Sequence, residues 1–132
     1  MSVKQAENPI SDLNVYVEAV MEKKAFGVCV LDLCGKTSIA DAFIIASGKS
    51  NRQVTAISDN VCRSLRKKGI KPLHIEGQTQ GHWVIMDYGH VIIHIFYDPI
   101  RNFYDLEGLW ADATRIKTEC MLNQEKEAAN DQ

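Results

Sequence analysis

The stretch of residues 81–96 constrains the fold more than any other part of the chain. Two apolar segments rich in valine, isoleucine and aromatic residues flank a short break that contains Gly89. Adjacent antiparallel strands joined by a tight turn have this pattern. The stretch therefore predicts a β-hairpin.

Two registers of this hairpin are consistent with the sequence. The first places a two-residue turn at Tyr88-Gly89, so that Trp83 faces His94. Asp87 then faces His90 in the same way. The second places a three-residue loop before a left-handed Gly89, which slips one strand by one residue and swaps its faces. Burial favours the first register, whereas turn chemistry favours the second, because tyrosine is a poor residue at positive φ. In the first register an open face carries Trp83, Asp87, His90 and His94.

The composition is that of one globular domain. The 132 residues are 45% hydrophobic and carry a formal net charge of -2, which argues against nucleic-acid binding through bulk charge. Four cysteines without CxxC spacing are expected to be reduced thiols, and no signal peptide or membrane span is recognised, which predicts a cytoplasmic protein. We expect one domain over residues 1–116 and a polar, disordered tail over residues 117–132.

Periodicity and capping signals predict helices over residues 9–24, 51–68 and 104–116. Ser50 and Gln53 have capping-box spacing at the start of the second helix. Strands are predicted over residues 26–33, 42–47 and 70–75, followed by the two hairpin strands. This order predicts an α/β fold with a single mixed β-sheet of about five strands and helices mainly on one face.

The motifs that suggest catalysis are incomplete. Gly48-Lys49-Ser50 looks like the end of a P-loop, but Phe43 occupies the position of the first glycine, so a turn and a helix cap are indicated. His90 and His94 lie roughly 13 Å apart along a strand at ~3.3 Å per residue, too far to share a metal ion. Asp87 with His90 could form a carboxylate and imidazole dyad, or simply a polar pair that closes the hairpin, and no activated nucleophile accompanies them. No catalytic residue, metal or cofactor is predicted.

Two regions have opposite charge. The second helix contains Arg52, Arg63, Arg66, Lys67 and Lys68, which either complement the helix dipole or contact RNA phosphates. Residues 83–112 are acidic and interleaved with aromatic residues. Tryptophan and tyrosine beside carboxylates are typical of a surface that binds a basic protein, and the alternative is that these aromatics close the core.

Three segments resemble the ribosomal silencing factor family, also called RsfS or Iojap-like. They are residues 38–48 (SIADAFIIASG), 83–96 (WVIMDYGHVIIHIF) and 101–110 (RNFYDLEGLW), and the match runs in order over residues 25–113. His90, where members often have an acid, and Gly108 depart from the family pattern. The family's motifs fall on Trp83, Asp87, Gly89, His94, Arg101, Tyr104, Leu106, Glu107, Leu109 and Trp110.

The resemblance implies a fold related to nucleotidyltransferases but without catalysis, so the protein is not expected to be an enzyme. It also implies binding to the large ribosomal subunit through ribosomal protein uL14 at the intersubunit face. The bound protein would sterically block association with the small subunit and repress translation when nutrients are short, and organellar relatives act in ribosome assembly.

Together these observations predict a partner-binding surface. Its predicted residues are Trp83, Asp87, Tyr88, His94, Tyr97, Arg101, Tyr104, Glu107, Leu109 and Trp110. A minor contact with ribosomal RNA and a homodimer of the free protein are further hypotheses. The alternative function is a nucleotide-binding or nucleotidyltransferase-type enzyme that uses a vestigial cleft, although no Asp-x-Asp pair follows Ser50 to bind magnesium ions.

Overall fold

The structure of the protein, a computed structural model, describes residues 9–130. Its helices are α1 (Pro9–Met21), α2 (Asn51–Lys67), α3 (Asp98–Tyr104), α4 (Leu106–Leu109) and α5 (Glu119–Asn130). Its strands are β1 (Phe26–Asp32), β2 (Ala42–Gly48), β3 (His74–Glu76), β4 (Trp83–Asp87), β5 (Val91–Tyr97) and β6 (Thr114–Ile116). No helix in this part of the chain is long and apolar enough to cross a membrane.

Within residues 9–130, six strands form one mixed sheet in the order β3-β4-β5-β2-β1-β6. β2 and β5 are parallel, whereas the other neighbouring strands are antiparallel. The predicted α/β fold with a single mixed sheet is confirmed, with six strands instead of about five. The unpredicted strand, β6, pairs only three residues with β1, too few for an alternating pattern to be recognised.

Helices cover both faces of the sheet. On the first face, residues of α1, α2 and α5 share one hydrophobic core with Val91, Ile93 and Ile95 of β5. On the second face, α3 and α4 cover Ile92 and Phe96 of the same strand. Because the three long helices share the first face, the prediction of helices mainly on one face is confirmed. A strand that is buried on both faces has a continuous apolar run instead of an alternating one.

The hairpin turns at Gly89-His90, one residue later than the first predicted register requires. Gly89 takes a φ of +94°, and Tyr88 donates its backbone N–H to the carbonyl oxygen of Val91 at 2.9 Å. Tyrosine therefore avoids positive φ by remaining in the strand ladder, and glycine takes the left-handed position. The predicted cross-strand pairs are wrong in consequence.

The faces of the hairpin nevertheless agree with the first register, because the cross-strand partners shift by two residues. Trp83 faces Phe96 and not His94, and Asp87 faces Ile92. His90 lies in the turn with Nε2 2.7 Å from a carboxylate oxygen of Asp12, so the predicted pairing of Asp87 with His90 is wrong. The expected open face is covered by α3 and α4.

The residues after β5 form two short helices and a strand, so the predicted helix over residues 104–116 is wrong. Pro99 lies in the first turn of α3, where a missing backbone N–H costs nothing. Asp105 then takes a φ of +47° and ends α3. Its carboxylate accepts a hydrogen bond from the N–H of Gly108 at 3.1 Å, which caps α4.

The remaining differences lie at the ends of elements. The Ser50 hydroxyl accepts a hydrogen bond from the N–H of Gln53 at 3.1 Å, which confirms the predicted cap of α2. The strand predicted over residues 70–75 is shorter and begins later, at His74–Glu76. Residues 119–130 form α5 where a disordered tail was expected. Met121 is buried against the first face, and Asn14 accepts the N–H of Cys120 at 2.8 Å.

Gly77→Ala should destabilise the protein more than the matched variant Gly69→Ala. Both glycines have positive φ, +87° and +80°, so alanine at either position incurs about 1 kcal/mol of conformational strain. A Cβ atom at position 77 would also overlap the carbonyl oxygen of Trp83, whereas a Cβ atom at position 69 would meet open space. We expect losses of roughly 2–4 kcal/mol and about 1 kcal/mol in the free energy of unfolding by urea. Equal losses would contradict this explanation.

Candidate partner-binding surface

Trp83 lies within an aromatic stack on the second face of the sheet. The centroid of its ring is 4.9 Å from that of Phe96 and 4.7 Å from that of Tyr104. Phe96 is fully buried, whereas Tyr104 is 51% exposed, so the stack extends from the core to the surface. Aromatic pairs at these distances add ~0.5–1.5 kcal/mol beyond area burial. The stack therefore fixes Tyr104 in place while half of this side chain stays accessible.

The buried His94 side chain orients the Trp83 ring through a hydrogen bond. The indole N–H of Trp83 donates a hydrogen bond to Nδ1 of His94 at 3.1 Å, so the proton of the neutral imidazole resides on Nε2. His94 is 5% exposed, and this burial lowers its pKa to about 4. The ring is therefore neutral at pH 7, and it orients Trp83 from within the core.

Phe43 links this stack to Trp110. The Phe43 ring lies 4.5 Å from His94 and 6.2 Å from Trp110, in edge-on arrangements. Phe43 was not predicted as a site residue, because it belongs to the continuous apolar run of β2, where every residue looks like a core residue. It joins the hairpin to the segment that follows α4.

Three large side chains of α3 and α4 project into solvent. Phe103 is 78% exposed and Leu109 is 72% exposed, and the Phe103 ring lies edge-on to Tyr104 at 5.1 Å. Large apolar side chains exposed on two consecutive short helices are candidates for an interaction site on a soluble protein. We call Trp83, Phe103, Tyr104, Leu109 and Trp110 the aromatic surface.

An ion pair between Arg101 of α3 and Glu107 of α4 links these two helices, and we call it the Arg101–Glu107 brace. Arg101 donates hydrogen bonds from Nε and Nη2 to the two carboxylate oxygens of Glu107 at 3.0 and 2.8 Å. Its Nη1 donates to the hydroxyl of buried Ser47 at 2.8 Å. The hydrogen bonds from Arg101 lower the pKa of Glu107. A Cβ atom at Gly27 would lie only 2.8 Å from Nη1, so this glycine leaves room for the guanidinium group.

Gly108, which departs from the family pattern, has a structural explanation. A Cβ atom at this position would overlap the carboxylate of Asp105. Glycine therefore lets Asp105 cap α4 closely, and the capped turn presents Leu109 to solvent.

Three of the predicted residues lie apart from the aromatic surface. Tyr88 is buried on the first face, with its ring 5.5 Å from Tyr16, and burial raises the pKa of its hydroxyl. Tyr97 packs against the core of the first face. The Asp87 carboxylate accepts the N–H of Gly89 at 2.8 Å, at the turn end of β4. The other seven predicted residues come together around the second face.

The start of α2 is bonded to the protein's own groups. The side-chain oxygen of Gln53 accepts the N–H of Lys49. Its amide nitrogen donates to the carbonyl oxygens of Lys23 and Lys24, at 3.2 Å each. These contacts confirm that Gly48-Lys49-Ser50 is a turn and a helix cap. Within residues 9–130, no group of three histidine, cysteine or acidic side chains is suited to hold a metal ion.

Residues 6–132 match the protein family described as "Ribosomal silencing factor during starvation", RsfS. The chain belongs to this family. The resemblance of the three segments is thereby confirmed over nearly the whole chain, and the family is named for silencing and not for a catalysed reaction.

Curated relatives agree with this assignment. The chain is 38% identical to the ribosomal silencing factor RsfS of Halalkalibacterium halodurans over 84% of this chain and 95% of the relative. It is 34% identical to the RsfS of Bacillus subtilis over 89% of this chain and 99% of the relative. A more distant relative is the mouse protein called mitochondrial assembly of ribosomal large subunit protein 1, which is 28% identical over 75% of this chain and 45% of the relative.

Solved structures share the fold. A crystal structure from Chromobacterium violaceum has a TM-score of 0.75 and 33% identity, and the alignment covers 79% of this chain and 88% of the other. A crystal structure from Bacillus halodurans has a TM-score of 0.72 and 35% identity, and covers 80% of this chain and 96% of the other.

The buried, neutral His94 should make this RsfS-family protein less stable in mild acid. An unfolded histidine has a pKa of about 6.5, whereas burial lowers the folded value to about 4. The unfolded chain therefore binds a proton that the folded chain does not, and stability is lost as the pH falls from about 6.5 towards 4. We expect this group to remove about 2 kcal/mol between pH 7 and pH 5.

Urea unfolding at both pH values measures this effect. His94→Phe should lack this part of the pH dependence, while His82→Phe, which changes an exposed histidine, should retain it. An unaltered pH dependence in His94→Phe would contradict the explanation.

Glu107→Gln should destabilise the protein by about 2 kcal/mol, because it leaves the largely buried Arg101 guanidinium without its anionic partner. The control is Glu125→Gln, which changes an acid paired with Lys117 where both side chains are more than half exposed. That change should alter stability by less than about 0.5 kcal/mol. Thermal or urea unfolding compares the two, and equal effects would show that the brace contributes little.

Proposed function

We propose that this protein is a ribosomal silencing factor that represses translation without catalysing a reaction. It acts in the cytoplasm, binds the large ribosomal subunit through ribosomal protein uL14 at the intersubunit face, and prevents the small subunit from joining. Two of the bacterial relatives are named as ribosomal silencing factors, and the mouse relative is named for assembly of the large subunit. The exposed aromatic surface is the observation that carries the docking proposal.

The chemistry of the aromatic surface fits a basic protein partner. Phe103 and Leu109 are largely exposed, and burial of a side chain of this size contributes roughly 1.5–3 kcal/mol. Asp98 and Asp105 lie in the same segment of the chain, as does Asp112, which pairs with Lys36 at 3.4 Å. Apolar anchors provide affinity, and surrounding carboxylates steer a positively charged partner into place.

To block subunit joining, the bound protein needs only to be rigid and to occupy the space that the small subunit would fill, and no chemical step is required. A standard interface buries about 800 Å² of each partner, so most of a domain of this size remains outside the contact. The two-sided core and the Arg101–Glu107 brace support such rigidity. The small subunit would then meet the sheet and the first-face helices as a steric barrier.

The same aromatic surface can join two copies of the free protein. A homodimer formed in this way would compete with binding to the subunit, because both use the same anchors. Sedimentation equilibrium of the free protein, compared with a Leu109→Ala variant, measures this association.

Binding to large subunits decides the proposal. The purified protein should co-sediment with isolated large subunits through a sucrose cushion, bind isolated uL14, and reduce the fraction of joined ribosomes when small subunits are added. A protein that binds neither large subunits nor uL14 would contradict it. Binding without an effect on joining would contradict the steric mechanism alone.

Leu109→Ala should weaken binding to large subunits by about tenfold or more, since it removes an apolar anchor. Leu73→Ala is a matched control, because Leu73 is 73% exposed and Leu109 is 72% exposed, but Leu73 precedes β3 and lies beside the hairpin turn at Gly89 instead of on α4. This control should bind like the unmodified protein. Circular dichroism confirms that both variants are folded, and equal binding by the two variants would place the docking site elsewhere.

A further inference from the structure

Basic side chains are concentrated at the C-terminal end of α2 and in the turn that follows it. Between Asp59 and Glu76 the chain contains five cations and no acid. These five residues, which we call the basic cluster, are Arg63, Arg66, Lys67, Lys68 and Lys71. All five are exposed, and none of them forms an ion pair with another residue that the structure describes.

The helix dipole accounts for only part of the basic cluster. Arg66 and Lys67 lie in the last turn of α2, where cations are stabilising. Carbonyl groups in the last turn of α2 already accept hydrogen bonds from the backbone. The N–H of Lys68 donates to the carbonyl oxygen of Leu65, and the N–H of Gly69 donates to that of Arg66, both at 2.9 Å. The basic side chains are therefore not needed as caps.

The arrangement of the basic cluster is unfavourable in the isolated protein. Arg63 and Lys67 are four residues apart and share one side of the helix, where like charges destabilise it. Glu22, which contacts α2, bonds to Asn60 and Ser64 at 2.7 Å each instead of to the cluster. A polyanionic partner would relieve this repulsion.

We propose that the basic cluster binds the phosphate backbone of double-helical RNA and forms a second contact with the large ribosomal subunit. This inference rests on the proposed function and specifies the minor contact with ribosomal RNA. Lysine is depleted in protein–protein interfaces, whereas lysine and arginine together are the usual ligands of nucleic-acid phosphates. α2 packs on the first face of the sheet and the aromatic surface lies on the second, so one contact does not occlude the other.

Fluorescence anisotropy with a labelled 16-base-pair RNA duplex tests the inference. The unmodified protein should bind the duplex with an affinity that falls steeply between 50 and 200 mM KCl, with a log–log slope of about -3. Arg63→Gln/Lys67→Gln should weaken binding at least tenfold at 50 mM KCl and reduce the slope by about 2. The control, Lys49→Gln/Arg52→Gln, removes the same charge from the other end of α2 and should bind like the unmodified protein.

Large subunits provide the second readout. Arg63→Gln/Lys67→Gln should weaken subunit binding severalfold at low salt, while Leu109→Ala should weaken subunit binding and leave duplex binding unchanged. The inference is overturned if the unmodified protein does not bind the duplex, or if both double variants bind it equally. Loss of subunit binding without any duplex binding would indicate an acidic protein partner and overturn the RNA assignment. If the cluster binds the duplex but the protein does not bind large subunits, the proposed function fails and the RNA contact stands.

Discussion

The parallel pairing of β2 with β5 is the constraint on which the rest of the structure depends. Seven consecutive residues of each strand are paired, and nearly all of them are buried on both faces. A parallel pair in the middle of a sheet must be covered on both sides. The long helices cover the first face, so the segment after β5 has to fold back over the second. A continuous helix through residues 104–116 would not leave β6 free to extend the sheet beside β1.

The segment after β5 covers the second face with few apolar residues, and the Arg101–Glu107 brace helps to hold it in place. Ser47 is a buried polar residue in an otherwise apolar strand. The hydrogen bond that its hydroxyl accepts from Arg101 offsets the cost of burying this group. Arg101 is in turn neutralised by Glu107, which belongs to the next helix. With α3 and α4 held by these bonds and by the Asp105 cap, Leu109 is free to face solvent. The exposed anchors are therefore a consequence of how the second face is closed.

Sequence patterns predicted the elements that depend on local signals. Ser50 and Gln53 identified the start of α2, and the apolar runs identified the four longer strands. The patterns failed where distant contacts decide the conformation. Nothing near Cys120 indicates that Asn14 will accept its N–H, and the pairing of β6 with β1 depends on residues more than eighty positions away. For the site, family motifs identified Arg101 and Glu107, but only the geometry shows that these two residues bind each other.

The nearly neutral net charge of -2 conceals a separation of charge that bears on the proposed docking. Acidic residues are concentrated in the same segment of the chain as most of the aromatic surface, whereas the basic cluster lies at the end of a first-face helix. Each surface attracts a partner of opposite charge, and their distant fields nearly cancel. Each surface therefore attracts a charged partner only at short range, because salt ions screen the interaction beyond about 8–10 Å at physiological ionic strength. On the proposed docking, each surface alone would bind its partner only weakly at physiological salt, and the two contacts together would give tight binding only where both partners lie at the correct separation. This requirement favours a composite surface of protein and RNA over either component alone.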